Sequence, residues 1–153
     1  QLEAQIAALQ VAFPQVHPCI AILQLPEGVD AREFSFWLFN SAPFQGDEDA
    51  AARAHSLLLL IDRNGGRVAA TVGYGLDPFL GDPHLSAMLA PLQPHLERSD
   101  YQKAISTFLS LLFGGLGEAY RDATYIASSY QSPSADTSGY GDTTPRSGCE
   151  PPY

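Results

Sequence analysis

Apolar residues recur at Leu2, Ile6, Leu9 and Ala12, with Glu3, Gln5 and Gln10 between them, and this spacing predicts an amphipathic helix that Pro14 ends. Between Pro18 and Pro26 the run from Cys19 to Leu25 is short and apolar apart from Gln24, the pattern of a buried strand with Cys19 in the core. From Asp30 the period returns to that of a helix, with Phe34, Trp37 and Leu38 on one face as far as Asn40. Trp37 is therefore expected to pack against a sheet. After a polar loop from Ser41 to Asp49 and a short helical turn over Ala50 to Ala54, Ser56 to Ile61 reads as a second apolar strand. Arg63-Asn64-Gly65-Gly66 then gives a tight turn into a third strand, Arg67 to Val72. A helix between the first two strands favours a parallel pair, and the Asn-Gly turn makes the next pair antiparallel, so the sheet is mixed.

Two further helices are expected, over Pro83 to Leu96 and Tyr101 to Tyr120. Pro91 and Pro94 should split the first, and Asp100 should cap the second. The second carries Ile105, Phe108, Leu109, Leu112, Phe113 and Leu116, a stripe wide enough to cover one face of the sheet, with Gly114, Gly115 and Gly117 loosening its end. The reading is an α/β chain: a three-layer α/β/α sandwich around a small mixed sheet over residues 1–122. A Ser/Gly/Pro/Tyr-rich stretch over 123–153, with too few aliphatic residues to anchor a core, reads as a flexible tail.

Charge narrows the partners. Seventeen carboxylates against eight Lys and Arg leave a net charge of −9, which disfavours nucleic acid and anionic membrane surfaces and suits a divalent cation or a basic protein face. No run approaches the roughly 18 to 20 apolar residues needed to span a bilayer, so direct membrane insertion is not expected. Cys19 and Cys149 do not make a disulfide framework.

The hairpin brings His55 and Ser56 beside Gly73 to Asp77 at one rim of the sheet. The loop Asp47-Glu48-Asp49 leads into that rim, and Asp77 and Asp82 leave it, so Asp77, Asp82, Asp47 and Asp49 are the candidate ligands for a hard cation, Ca²⁺ or Mg²⁺. The alternative for Asp82 is a cap on the helix that begins at Pro83, and for the loop a solvated surface. Gly73 and Gly75 permit either a sharp turn or close approach of a ligand. His17, His55, His84 and His95 have no paired spacing on one helix face, and Ser56 beside His55 lacks a nucleophile elbow, so neither zinc chemistry nor a hydrolase triad is supported.

The segments Leu57-Leu58-Leu59-Leu60-Ile61, Val72-Gly73-Tyr74-Gly75-Leu76-Asp77, Leu80-Gly81-Asp82 and Asp100-Tyr101, with the helix holding Trp37-Leu38-Phe39-Asn40, resemble the TPM-domain family over about residues 1–122. The resemblance implies an α/β/α sandwich. It also implies one of three roles: a metal-dependent acid phosphatase, a metal-binding domain without turnover, or an accessory factor acting with a protein partner in a larger or membrane-associated complex. An extracytoplasmic or membrane-tethered setting follows from the same resemblance. Many members carry Asp-Asn-Gly or Asp-Asp-Gly before the apolar strand, where this chain has Ala54-His55-Ser56, and Asp77 stands where the family has Glu. Only Arg53 lies near enough in sequence to help neutralise a phosphate, so the residues favour a non-catalytic binding module with a weak cation site, and the phosphatase is the alternative.

Overall fold

The computed structural model describes residues 1–42 and 53–130, with side chains as far as residue 122. The acidic loop with Asp47 and Asp49, and the segment from 131 onward, lie outside the described residues. The elements are α1 (Leu2–Ala12), β1 (His17–Leu23), α2 (Ala31–Ser41), β2 (Ser56–Asp62), β3 (Arg67–Val72), α3 (Asp82–Leu89), a 3₁₀ turn (Ala90–Leu92), α4 (Gln93–Glu97) and α5 (Tyr101–Tyr130).

The sheet has the order β1-β2-β3. β1 runs parallel to β2 with His17 opposite Ser56, and β3 runs antiparallel to it with Leu57 opposite Val72. All seven residues of β2 are buried, as a central strand covered on both faces requires. Its side chains alternate between two cores. Leu57, Leu59 and Ile61 meet Leu9, Leu85, Met88, Leu92, Phe108, Leu109 and Leu112 from α1 and α3–α5, while Leu60 meets Ala31, Leu25 and Ala69 on the α2 side. Three layers result, as the sequence pattern requires.

Helix ends follow local chemistry. Asp30 Oδ1 accepts from the backbone N–H groups of Arg32 and Glu33 at 2.8 and 2.9 Å and so caps α2. Asp100 Oδ1 accepts from Lys103 N at 3.2 Å at the start of α5. Pro91 and Pro94 split the helical run after β3 into α3, the 3₁₀ turn and α4.

Four expectations need correction. β1 is an edge strand rather than a buried one: six of its residues are half-buried, Cys19 among them, and Ile22 is 41% exposed. Trp37 is 58% exposed. The sheet-facing stripe of α2 is Ala31, Ser35 and Phe39, with Ser35 Oγ hydrogen-bonded to Thr71 Oγ1 on β3 at 2.8 Å, and Trp37 lies roughly 60° beyond Phe34 on the solvent side. Among the described residues the Trp37 ring meets the Phe34 ring, at 5.5 Å between centroids. Phe113, expected within the buried stripe of α5, is 44% exposed and meets Phe13 edge-on at 5.6 Å. Finally, α5, expected over Tyr101 to Tyr120, continues helically to Tyr130; its glycines do not loosen it, because Leu112 and Leu116, both fully buried, hold it to the core on either side of Gly114 and Gly115. Among the described residues no helix is long and apolar enough to cross a membrane.

Candidate functional site

The rim singled out from the sequence is built where β3 leaves the sheet. Gly73 N donates to Ser56 O at 2.9 Å, and Gly75 N donates to Ala54 O at 2.7 Å, so the strap before β2 lies directly on the two glycines. A Cβ at Gly73 would stand 2.2 Å from Arg53 O, and one at Gly75 would stand 2.7 Å from His55 Nε2. The glycines therefore serve the chain's own backbone. After them Leu76 and Leu80, each 1% exposed, anchor a tight loop in which Leu76 N and Asp77 N donate to Gly73 O and Leu80 N donates to Leu76 O. Tyr74, 92% exposed, and Asp77 face solvent.

The loop brings Asp77 and Asp82 close along the backbone, since a Cβ at Gly81 would meet Asp77 O at 3.4 Å, but their carboxylates have different surroundings. Gly81, not Asp82, is the N-cap of α3, and Asp82 lies in the first turn with Pro83. Its Oδ2 accepts from Arg32 Nη2 of α2 at 2.8 Å. Both side chains are more than three-quarters exposed, so water screens this pair strongly. Among the described residues no three His, Cys, Asp or Glu side chains form a group that could hold a metal ion. Asp77 and Asp82 by themselves make no such group, and the other two candidate ligands, Asp47 and Asp49, lie outside the described residues.

At the opposite end of β2 is a carboxylate that the sequence pattern did not single out. Asp62 is fully buried; Oδ1 accepts from Leu25 N and Asn64 N, each at 3.0 Å, and Oδ2 accepts from Arg67 Nε and Nη2 at 2.9 and 2.6 Å. Arg67 Nη1 in turn donates to Val29 O at 2.8 Å. Burial alone would raise the Asp62 pKa, but the hydrogen bonds from Leu25, Asn64 and Arg67, with the Arg67 charge, outweigh it and hold the carboxyl below its ordinary value. Asp62 ties the turn after β1, the end of β2 and the start of β3 together, and every acceptor position it offers is filled from within the chain.

An open groove lies elsewhere. Between α3, α5 and the loop after β3 runs a groove of about 650 Å³, lined among others by Phe79, Leu80, Met88, Leu111, Gly115 and Glu118. Its wall on α5 consists of two rows at i, i+4 spacing: Leu111, Gly115 and Ala119 beside the floor, and Ser110, Gly114, Glu118 and Asp122 toward solvent. Phe79 and Leu111, 41% and 37% exposed, form apolar lips. Neither Glu118 nor Asp122 pairs with a cation among the described residues. The sequence held a signal for this surface in Gly114 and Gly115, two poor helix formers inside an apolar stripe that is followed by the acids Glu118 and Asp122, four residues apart.

The family model described as the TPM domain matches residues 1–114. The fold is similar to the solution structure of BA42 protein from the psychrophilic bacterium Bizionia argentinensis sp. nov., with a TM-score of 0.59 at 10% identity, over 76% of this chain and 79% of that one. At that identity the likeness is one of fold alone. No functionally curated protein matches the chain. Glu118, Ala119 and Asp122, much of the groove's α5 wall, lie beyond the residues the family model matches.

Proposed function

Because the chain belongs to the TPM-domain family and its open surface is the α3–α5 groove, we propose that it acts as a docking module, binding a protein partner through that groove without turning over a substrate. The observation that carries this reading is the contrast between the two surfaces. At the strand-end rim the space above Gly73 is occupied by the carbonyl oxygens of Arg53 and Ala54, whereas a Cβ at Gly114 would meet nothing within 4 Å among the described residues. A groove of some 650 Å³ with an apolar floor is of the size that binds ligands and partner side chains. The alternative of a metal-dependent phosphatase needs a cation held at the rim and positive charge to meet a phosphate. Asp82 is engaged by Arg32, and the described donors do not complete a cation site.

Turnover decides between the two. Full-length protein is incubated with a chromogenic phosphate monoester at acidic and neutral pH, in millimolar Ca²⁺, Mg²⁺ or EDTA, beside Asp77→Ala. The docking reading expects the same background rate in every arm. Metal-dependent hydrolysis that EDTA and Asp77→Ala both abolish would overturn it.

A further inference from the structure

The groove breaks two local rules at once, on one face of one helix. Glycine inside a helix weakens it and is kept where packing leaves no room for a methyl group. A Cβ at Gly114 meets nothing within 4 Å among the described residues, and one at Gly115 meets only Leu80 Cδ2 at 3.7 Å and Met88 Sδ at 3.9 Å, which is ordinary contact. Contacts within the described chain give no reason for these glycines. Beside them Glu118 and Asp122 repel each other at i, i+4 spacing with no cation paired to either among the described residues. Departures from local consistency of this kind are expected where a surface serves something outside the chain.

We infer that the groove seats a basic amphipathic helix from a partner protein. This inference rests on the docking reading and specifies its partner. The wall from Ser110 to Asp122 is about 18 Å long, room for roughly three turns of a helix. An extended segment would gain no main-chain hydrogen bonds here, because the wall is helical and its own N–H and C=O groups are already bonded, whereas a helix brings its own satisfied. The bare backbone at Gly114 lets such a helix approach closely, its apolar side chains meeting Phe79, Leu80, Met88 and Leu111. Lys or Arg along its edge then meets Glu118 and Asp122. Charge also excludes nearer occupants: a second copy brings the same net −9, and the chain's own residues 131–153 carry one cation, Arg146, against Asp136, Asp142 and Glu150.

The test measures fluorescence anisotropy of three labelled helical peptides with the full-length protein. One has a Leu face flanked by Lys, one has the same composition scrambled so that no face exists, and one has Glu in place of Lys. The inference expects the Lys peptide to bind at least about tenfold more tightly than either control. Gly114→Leu, which fills open space and should leave the fold intact by circular dichroism, weakens it about tenfold, and Glu118→Gln with Asp122→Asn weakens it and flattens its salt dependence. Equal binding of the scrambled peptide, or Lys-peptide binding unchanged by Gly114→Leu, would overturn the inference. A Gly114→Leu-sensitive preference for the Glu peptide would overturn the basic helix while leaving the docking reading in place. A concentration-dependent dimer in sedimentation that Gly114→Leu abolishes would instead assign the groove to a second copy.

Discussion

Replacing Gly114 or Gly117 by alanine should make the protein more stable, and the size of the gain follows from the structure. Alanine is favoured over glycine inside a helix by about 1 kcal/mol, mostly because the unfolded chain loses less freedom on folding. That benefit is realised only where the new methyl group fits, and at both positions nothing among the described residues lies within 4 Å. The helix is also held on either side: Leu116 is fully buried, and Tyr120 stacks on Phe13 at 5.3 Å between ring centroids. Each substitution should therefore add about 1 kcal/mol. The pair should add about 2, to within the few tenths by which neighbours couple. For a chain of this size that is a rise of about 3 °C in Tm for each substitution. Thermal melting followed at 222 nm reads the shift, and urea titration should move the midpoint without changing the slope. A loss of stability at Gly114 would mean that its space is filled from within the chain. The reason for keeping the glycine would then be internal, and the groove would lose its functional meaning.

Other substitutions test other parts of the account. Asp62→Asn keeps the shape but turns an amide N–H₂ toward the Arg67 donors, and should cost about 3 kcal/mol in chemical denaturation; the low end of the buried-pair range applies because the Arg67 side chain is 41% exposed. Since the folded-state pKa of Asp62 is lowered, its stabilisation is fully present above the ordinary aspartate value and fades as pH falls through the lowered one, so wild type and Asp62→Asn should converge in stability only in strong acid. Gly73→Ala would drive a methyl group to 2.2 Å from Arg53 O and should destabilise by about 3 kcal/mol or more; a neutral result in thermal melting would show that the strap is not seated on the glycine. Trp37, at 58% exposure, should emit near the wavelength of free indole side chains and change little on unfolding, and a strongly blue-shifted native spectrum would contradict its placement.

Much of the fold could be read in the sequence because its elements are set by periodicity and punctuation. Asn64-Gly65 marks the hairpin, Pro91 and Pro94 mark the broken helix, and the Leu57-to-Ile61 run marks the central strand. What escaped depends on residues distant in the chain. Strand composition alone does not separate the central β2 from the edge β1, so the exposure of Ile22 and the half-burial of Cys19 required the strand order. The side of α2 that meets the sheet is set by Ser35 bonding Thr71, 36 residues away, and this leaves Trp37 outside. The role of Asp62 depends on Leu25, 37 residues earlier in the chain. Likewise the rim reading placed Asp77 and Asp82 in one loop but gave no sign that Arg32, 50 residues from Asp82, would engage it. The groove was half-legible: its glycines were visible as weak points of a helix, but tertiary packing of Leu112 and Leu116 overrides that weakness and converts a frayed end into an open wall.

The measurement that tests the docking claim most directly is site-specific photo-cross-linking of the full-length protein in its native host. A benzophenone amino acid is placed at Leu111 on the groove lip, at Tyr74 on the strand-end rim and at Val11, 82% exposed on α1. The account predicts a discrete heavier adduct from Leu111, lost when Gly114→Leu is added, and none from Val11. No adduct from Leu111, an adduct that persists with Gly114→Leu, or an adduct from Tyr74 alone would contradict it and return the function to the rim.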